Sequence, residues 1–285
     1  MPQSRRTLLT GGAAALLAPL LRRTDAAAAG SSRVAAPPTP PDTYPAHAPD
    51  LAREMVAVSH GNVARVKELV ERHPALARAA WDWGFGDWED ALGAASHVGN
   101  RPIAEVLLAS GARPTIFSAA MLGQLDVVQA FVQSAPGIQR VKGPHGITLV
   151  AHARAGGDAA RPVLEYLTKL GDADQAQTSE TLSEGEAALA MGTYTFGTAP
   201  NQRVTIGQSK GFLTFLREGG SERVLFHLGS LVFHPTGAPA VRVAFKQEGD
   251  QVVLTVRDPD VQLTATRKLG ARALGSLAQR RGRYA

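Results

Sequence analysis

Histidine is the residue type in this sequence with the most to offer chemistry, because eight histidines occur in a chain without cysteine. His227 and His234 lie on two predicted adjacent strands and could approach each other, but no third ligand accompanies them. His60 and His97 occupy matching places near the ends of two predicted helices, where a polar side chain commonly bonds the turn. We therefore prefer a structural role for these two, and we expect neither a metal site nor a cofactor.

Motifs for nucleophilic or nucleotide chemistry also find little support. The glycine pairs Gly11-Gly12 and Gly156-Gly157 lack the following Lys-Ser or Lys-Thr of a phosphate loop, and no Ser-x-x-Lys occurs. The absence of cysteine excludes disulfides, thiolate-bound zinc and thiol nucleophiles. The sequence therefore favours a protein that binds over an enzyme, and we expect no catalytic residues.

The most unusual stretch is residues 81–90, which read Trp-Asp-Trp-Gly-Phe-Gly-Asp-Trp-Glu-Asp and contain all three tryptophans of the chain. Rigid aromatic rings beside carboxylates and glycines are typical of binding surfaces. The alternative is that Trp81 and Trp88 are core residues that cap a helical stack. A basic loop at residues 140–146 offers a counterpart, although a plain turn is its preferred interpretation. The candidate partner-binding residues are Trp81, Trp83, Phe85, Asp87, Trp88, Arg140, Lys142 and His145.

The charge distribution argues against a nucleic-acid partner. The formal net charge is +5, but arginine clusters at the two ends of the chain account for the excess. The body between them carries a small net negative charge and shows no basic stripe.

Residues 1–29 have the pattern of an export signal. Arg5 and Arg6 follow Ser4, an apolar run extends from Gly11 to Leu21, and small residues end the segment. The apolar run is shorter than the roughly 20 residues that span a membrane. This start resembles a twin-arginine signal, whose arginine pair is read by a receptor; an ordinary secretory signal and an uncleaved anchor are the alternatives. The resemblance implies a periplasmic or secreted protein that meets the membrane only during export.

A helical unit recurs about four times in residues 49–175. Each copy has a glycine between two predicted helices, followed by apolar residues at helical spacing. One such unit cannot bury its apolar face alone, so the copies must stack. The unit resembles the ankyrin repeat, most closely where Leu107-Leu108 is followed by Gly111-Ala112. That resemblance implies a concave face for a protein partner, with residues 81–90 as a finger projecting toward it. The marking glycines are Gly61, Gly99, Gly123 and Gly157.

Residues 188–268 have the alternation of short β-strands separated by Gly, Asn and Asp. Their spacing predicts an antiparallel meander that closes into a small barrel or a curved sheet. Met191-Gly192-Thr193-Tyr194, Gly211-Phe212-Leu213 and Val243-Ala244-Phe245 resemble the lipocalin-like β domain appended to exported β-lactamase-type hydrolases, which implies an accessory domain. The predicted strands are Gly192–Phe196, Arg203–Ile206, Phe212–Arg217, Arg223–His227, Leu231–His234, Val241–Gln247, Gln251–Val256 and Gln262–Arg267.

The sequence thus predicts an α+β multidomain protein, with an α-helical ankyrin solenoid followed by a small antiparallel β barrel or curved sheet. The leading hypothesis is an exported, non-catalytic protein-binding or scaffold module. Binding of a small ligand or polymer by the β domain is the alternative, and a hydrolase-related accessory protein is a remote one. The predicted segments are a signal peptide (1–29), a Pro/Ala-rich linker (30–48), ankyrin repeats (49–175), a linker (176–187), the β domain (188–268) and a basic tail (269–285).

Overall fold

A computed structural model describes residues 39, 41–175, 177–199, 202–259 and 261–269. The chain divides into two compact units, Met1–Tyr44 and Pro45–Ala285, and the fold below belongs to the second. The predicted signal peptide with Arg5 and Arg6, most of the first linker and the basic tail beyond Leu269 lie outside the described residues. In the part that is described, no helix combines the length and the apolar character needed to cross a membrane.

Eight of the α-helices form four antiparallel pairs in the first half of this unit. Polar side chains begin several of them: Asn62 and Asn100 accept hydrogen bonds from backbone N–H groups of the first turn, and Thr115 forms a capping box with Ser118. These caps set the helix starts that the repeat pattern predicts. The pairs are α1 (Pro49–Val58) with α2 (Val63–Arg72), α3 (Ala91–His97) with α4 (Arg101–Ala109), α5 (Ile116–Leu122) with α6 (Leu125–Ser134), and α7 (Leu149–Ala155) with α8 (Arg161–Leu170).

The four pairs stack side by side. Each first helix contacts the first helix of the next pair, and α2 contacts α4 as α6 contacts α8. The stack is tight because small residues lie at the contacts. Gly123 has a left-handed backbone with φ 76°, and a Cβ there would lie 2.1 Å from the carbonyl oxygen of Ala159.

A two-stranded hairpin projects between α2 and α3. Its strands β1 (Ala80–Asp82) and β2 (Trp88–Asp90) pair antiparallel with Trp81 opposite Glu89. Phe85 at the tip has a left-handed backbone with φ 60°, which is uncommon for a large side chain. The hairpin thereby holds the Phe85 ring at its outermost point.

A short helix, α9 (Glu184–Ala190), precedes the sheet and overlaps the stretch that the sequence analysis assigns to a linker. It begins at Ser183, which forms a capping box with Glu186. The capping box and the alanines that follow it explain why this polar stretch is ordered as a helix.

Eight antiparallel strands then close into a barrel in meander order, with the last strand paired to the first. The α+β class and the predicted barrel are confirmed, and every predicted strand is found within a few residues of its predicted bounds. Large side chains fill the interior, and the buried hydroxyl of Tyr194 donates to the carbonyl of Ala190 at 2.7 Å. A cavity of about 60 Å³ remains at one end. The strands are β3 (Gly192–Thr195), β4 (Arg203–Ser209), β5 (Phe212–Arg217), β6 (Arg223–His227), β7 (Val232–Pro235), β8 (Arg242–Glu248), β9 (Gln251–Asp258) and β10 (Val261–Lys268).

Candidate functional site

A cleft of about 370 Å³ opens where the helical stack meets the barrel. The stack contributes His60, Trp83 and His145 to one wall. The barrel contributes residues 221–224 and Thr236 to the other. Both halves of the chain are therefore needed to form the cleft.

Buried contacts between the hairpin and the barrel hold the two walls together. The Phe85 ring lines the barrel cavity and packs edge-on against Phe215, with ring centroids 5.5 Å apart. Asp87 forms a buried ion pair with Arg223 of β6. Gly237 leaves room for this pair, since a Cβ there would lie 2.8 Å from the Asp87 carboxylate. The hairpin is thus an internal connector rather than a free finger.

Asp87 also binds the loop before α7. Its carboxylate accepts a hydrogen bond from the backbone N–H of His145 at 2.9 Å and another from His145 Nδ1 at 2.7 Å. His145 has a left-handed backbone with φ 59°, and these bonds help to hold it there. Burial acts to raise the pKa of Asp87, but the bonds from His145 and Arg223 outweigh it and lower the pKa to about 2.

Four side chains from separate elements converge at the floor of the cleft. His60 follows α1, Glu89 lies on β2, His97 ends α3 and His145 lies in the loop before α7. One nitrogen or oxygen atom from each lies within 4.8 Å of the others. Imidazole and carboxylate are donors that transition metals accept, so these four residues could hold a metal ion.

Glu89 is the centre of this cluster. Its side chain is fully buried, with Oε1 at 3.1 Å from His97 Nδ1 and 3.4 Å from His145 Nε2. Its Oε2 lies 3.6 Å from His60 Nε2 and accepts a hydrogen bond from Trp83 Nε1 at 2.7 Å. Three imidazoles therefore surround one carboxylate.

In this cluster, attraction between opposite charges changes the pKa values of Glu89 and His145 more than burial does. Burial acts to raise the pKa of Glu89, but the side chains of His145 and His97 outweigh it and lower the pKa to about 2. Burial acts to lower the pKa of His145, whereas its hydrogen bond to Asp87 and its attraction to the Glu89 carboxylate raise it to about 9. Glu89 and His145 thus form a charged pair in the interior.

Two predicted site residues, Trp83 and His145, line this cleft, and the others do not. Trp88 is 63% exposed, so it is not a core cap, and Trp81 is half-buried. Arg140 is exposed and pairs with Asp172 at 3.0 Å, while Lys142 forms a backbone bridge to Thr148. The stretch 140–146 is thus partly a turn, and its His145 contacts the hairpin carboxylates Asp87 and Glu89.

The histidine pair that the sequence suggested does not form. In β6 and β7, His234 is opposite Phe226 and His227 is opposite Phe233, which places the two histidines on opposite faces of the sheet. Within the cluster, His60 and His97 carried the better clue in the sequence, because they recur at the same position of two helical units. Glu89 carried none beyond its place in an acidic, aromatic stretch.

A serine motif also falls outside the cleft. Residues 207–211 have the Gly-x-Ser-x-Gly spacing of hydrolase elbows, but Ser209 ends β4 at a hairpin turn rather than at a strand-to-helix turn. This context gives the motif no nucleophilic role.

Comparison with known proteins adds no assignment. No family model matches the chain. No curated protein and no solved structure matches it either. The function must therefore be argued from the cleft itself.

Proposed function

We propose that the protein is a binding protein whose recognition site is the cleft between the helical stack and the barrel. The observation that carries this proposal is that contacts between the hairpin and the barrel join the two walls of the cleft. Asp87–Arg223 and Phe85–Phe215 fix one wall to the other, so the cleft exists before any ligand arrives. Such preorganisation lowers the entropic cost of binding.

The lining favours a small polar ligand with a flat face. A volume of about 370 Å³ is in the range of ligand pockets, roughly 300–1,000 Å³. The indole of Trp83 is held in place by its bond to Glu89 and provides an aromatic wall. Ser221, Glu222 and Thr236 provide hydrogen-bonding groups opposite it. Hydroxyl-bearing ring compounds combine both features.

The fluorescence of Trp83 can report binding in the cleft. A Trp81→Phe/Trp88→Phe variant keeps Trp83 as its single tryptophan. Its fluorescence emission is followed on titration with monosaccharides, disaccharides, nucleosides and aromatic amino acids. We expect a saturable change with at least one class, weakened by Glu222→Gln but not by Glu218→Gln. Glu218 is a matched control because it pairs with Arg203 away from the cleft. No saturable change with any compound, or equal effects of the two substitutions, would contradict the proposal.

A protein partner at the hairpin is the second candidate, favoured by the exposure of Trp88. A tryptophan that is 63% exposed is unusual, and tryptophan is enriched at interface hot spots. Pull-downs would compare Trp88→Ala with Phe131→Ala, whose ring is also exposed. Loss of a partner with Trp88→Ala alone would support this candidate, and an unchanged set of partners would count against it.

The repeat architecture is part of the same proposal. We infer a set of degenerate ankyrin repeats from the recurring glycines and from the contacts between successive helix pairs.

The cellular location of the protein is a further part. We infer export from the Arg5-Arg6 start, and an Arg5→Lys/Arg6→Lys variant that remains inside the cell would support it. A lipocalin-like ligand inside the barrel has less support, because the cavity is small, at about 60 Å³, and Phe85 of the hairpin forms part of its wall.

A further inference from the structure

We propose that His60, Glu89, His97 and His145 bind a divalent first-row transition-metal ion of the zinc class at the floor of the cleft. The inference goes beyond the binding of an organic ligand and does not depend on it. It rests on hydrogen-bond directions, burial and distances, each of which favours a bound cation.

The hydrogen bonds of two histidines direct their second ring nitrogens, Nε2, toward Glu89. The carbonyl of Ala57 can only accept, so His60 donates to it from Nδ1 at 3.0 Å and directs Nε2 toward Glu89. His145 donates from Nδ1 to Asp87 in the same way and directs Nε2 to Glu89. Metal-bound histidines characteristically donate their outer N–H to a carbonyl or a carboxylate. Asp87, His145 and the ion would form such a triad.

Two buried atoms at the centre lack the partners that burial normally requires. Within the described residues, neither Glu89 Oε1 nor His97 Nδ1 has a hydrogen-bond partner. They lie 3.1 Å apart without the alignment of a hydrogen bond. Burying polar atoms without partners is unfavourable, and a cation between them would satisfy both.

The spacing of the donors fits a small ion. Zinc holds nitrogen and oxygen ligands at about 2.0–2.2 Å, which puts tetrahedral ligands about 3.4 Å from one another. Glu89 Oε1 lies 3.1 Å from His97 Nδ1 and 3.4 Å from His145 Nε2, close to that spacing. His60 Nε2 lies 3.6 Å from the other carboxylate oxygen, Oε2. The outer limit of 4.8 Å within the set exceeds the tetrahedral spacing by about 1.4 Å, a difference within the reach of side-chain rotation.

The donor types select the metal class. Three imidazoles and one carboxylate suit zinc, nickel, copper and iron, whereas calcium and magnesium prefer oxygen donors. His60 and His145 line the cleft, while Glu89 and His97 lie deeper. The ion would therefore be reached from the cleft and would face whatever enters it.

The test uses the full chain, stripped of metal with a chelator and titrated with Zn²⁺ against a chromophoric competitor. We expect one high-affinity ion per chain. We expect His97→Ala and Glu89→Gln each to weaken binding by more than about 100-fold, beyond the 10–100-fold typical of residues that only orient ligands. His47→Ala is the control, because His47 is exposed and outside the cluster.

A second measurement separates loss of the site from loss of the fold. Circular dichroism selects the variants that remain folded, and His145→Gln adds a milder change. Co²⁺ then reports geometry, since a tetrahedral site gives an intense visible spectrum that scattered surface histidines do not. The proposal is overturned if folded wild-type protein binds none of Zn²⁺, Co²⁺, Ni²⁺ or Cu²⁺ at one site, or if folded His97→Ala binds Zn²⁺ as the wild type does.

Discussion

Replacing Asp87 by alanine is expected to cost more stability than replacing its partner Arg223 by methionine. Both side chains are buried, at 4% and 6% exposure. Without Asp87, the guanidinium keeps, among the described residues, the carbonyls of Thr236 at 3.2 Å and Gly84 at 3.4 Å, and no carboxylate of that part of the chain pairs with it. Without Arg223, Asp87 still accepts two hydrogen bonds from His145. Asp87→Ala therefore leaves a buried charge for which the structure describes no other counter-ion, whereas Arg223→Met leaves a carboxylate that is still hydrogen-bonded.

The magnitudes follow from these remaining partners. Removing one member of a buried ion pair costs about 3–5 kcal/mol when the other is left uncompensated, which applies to Asp87→Ala. Arg223→Met removes a charge-assisted hydrogen bond but leaves the acid bonded, so about 1.5–3 kcal/mol is expected. The double variant should cost less than the sum of the two, by about 1–3 kcal/mol, because the side chains are in contact.

Equilibrium urea unfolding measures these differences, with tryptophan emission for the hairpin and circular dichroism for the whole fold. Arg203→Met is the matched control: it breaks a 2.8 Å pair with Glu218 on the exposed face of the barrel and should cost less than about 1 kcal/mol. The reasoning is refuted if Arg223→Met costs as much as Asp87→Ala, if the two effects simply add, or if Arg203→Met is equally damaging.

Two further stability predictions use the same assay. Gly99 and Gly111 both have left-handed backbones, but only at Gly99 would a Cβ meet a backbone oxygen, that of Ala155 at 2.1 Å. Gly99→Ala should therefore cost about 1–3 kcal/mol more than Gly111→Ala, and equal costs would show that the repeats are not held at this distance. Phe85→Ala should cost about 2 kcal/mol by removing the apolar contacts of Phe85 with the barrel core, whereas the exposed Phe131→Ala should change little; similar costs would mean that Phe85 does not pack there.

The barrel was predictable because each strand is encoded by alternating residues that are close together in the sequence. Alternating burial along β6, from Arg223 to His227, is the direct consequence of side chains pointing to opposite faces of a sheet. The predicted bounds of β5 and β6 are those observed. Helix α9 was missed, although Ser183 and Glu186 have the spacing of a capping box, because the polar composition around them outweighed it.

The candidate site was much less predictable. His60 and His97 were recognised as equivalent positions, but the inference stopped at the turn that His60 does bond. What brings them to Glu89 and His145 is the stacking of separate repeats and the docking of the hairpin on the barrel. Neither the stacking nor the docking produces a periodic pattern in the sequence that would predict these contacts. The hairpin was likewise predicted as an exposed surface because its aromatic and acidic residues gave no sign that Phe85 and Asp87 have partners within the chain.

The ion pair that fastens the hairpin joins residues 136 positions apart. Contacts of such long range form slowly, since the intervening chain must lose its freedom before the contact repays it. During synthesis, the stack emerges well before β6 and cannot complete the cleft until the barrel strand arrives. The hairpin then waits with Phe85 and Asp87 uncovered, and this interval is where a chaperone or an aggregating neighbour has its opportunity.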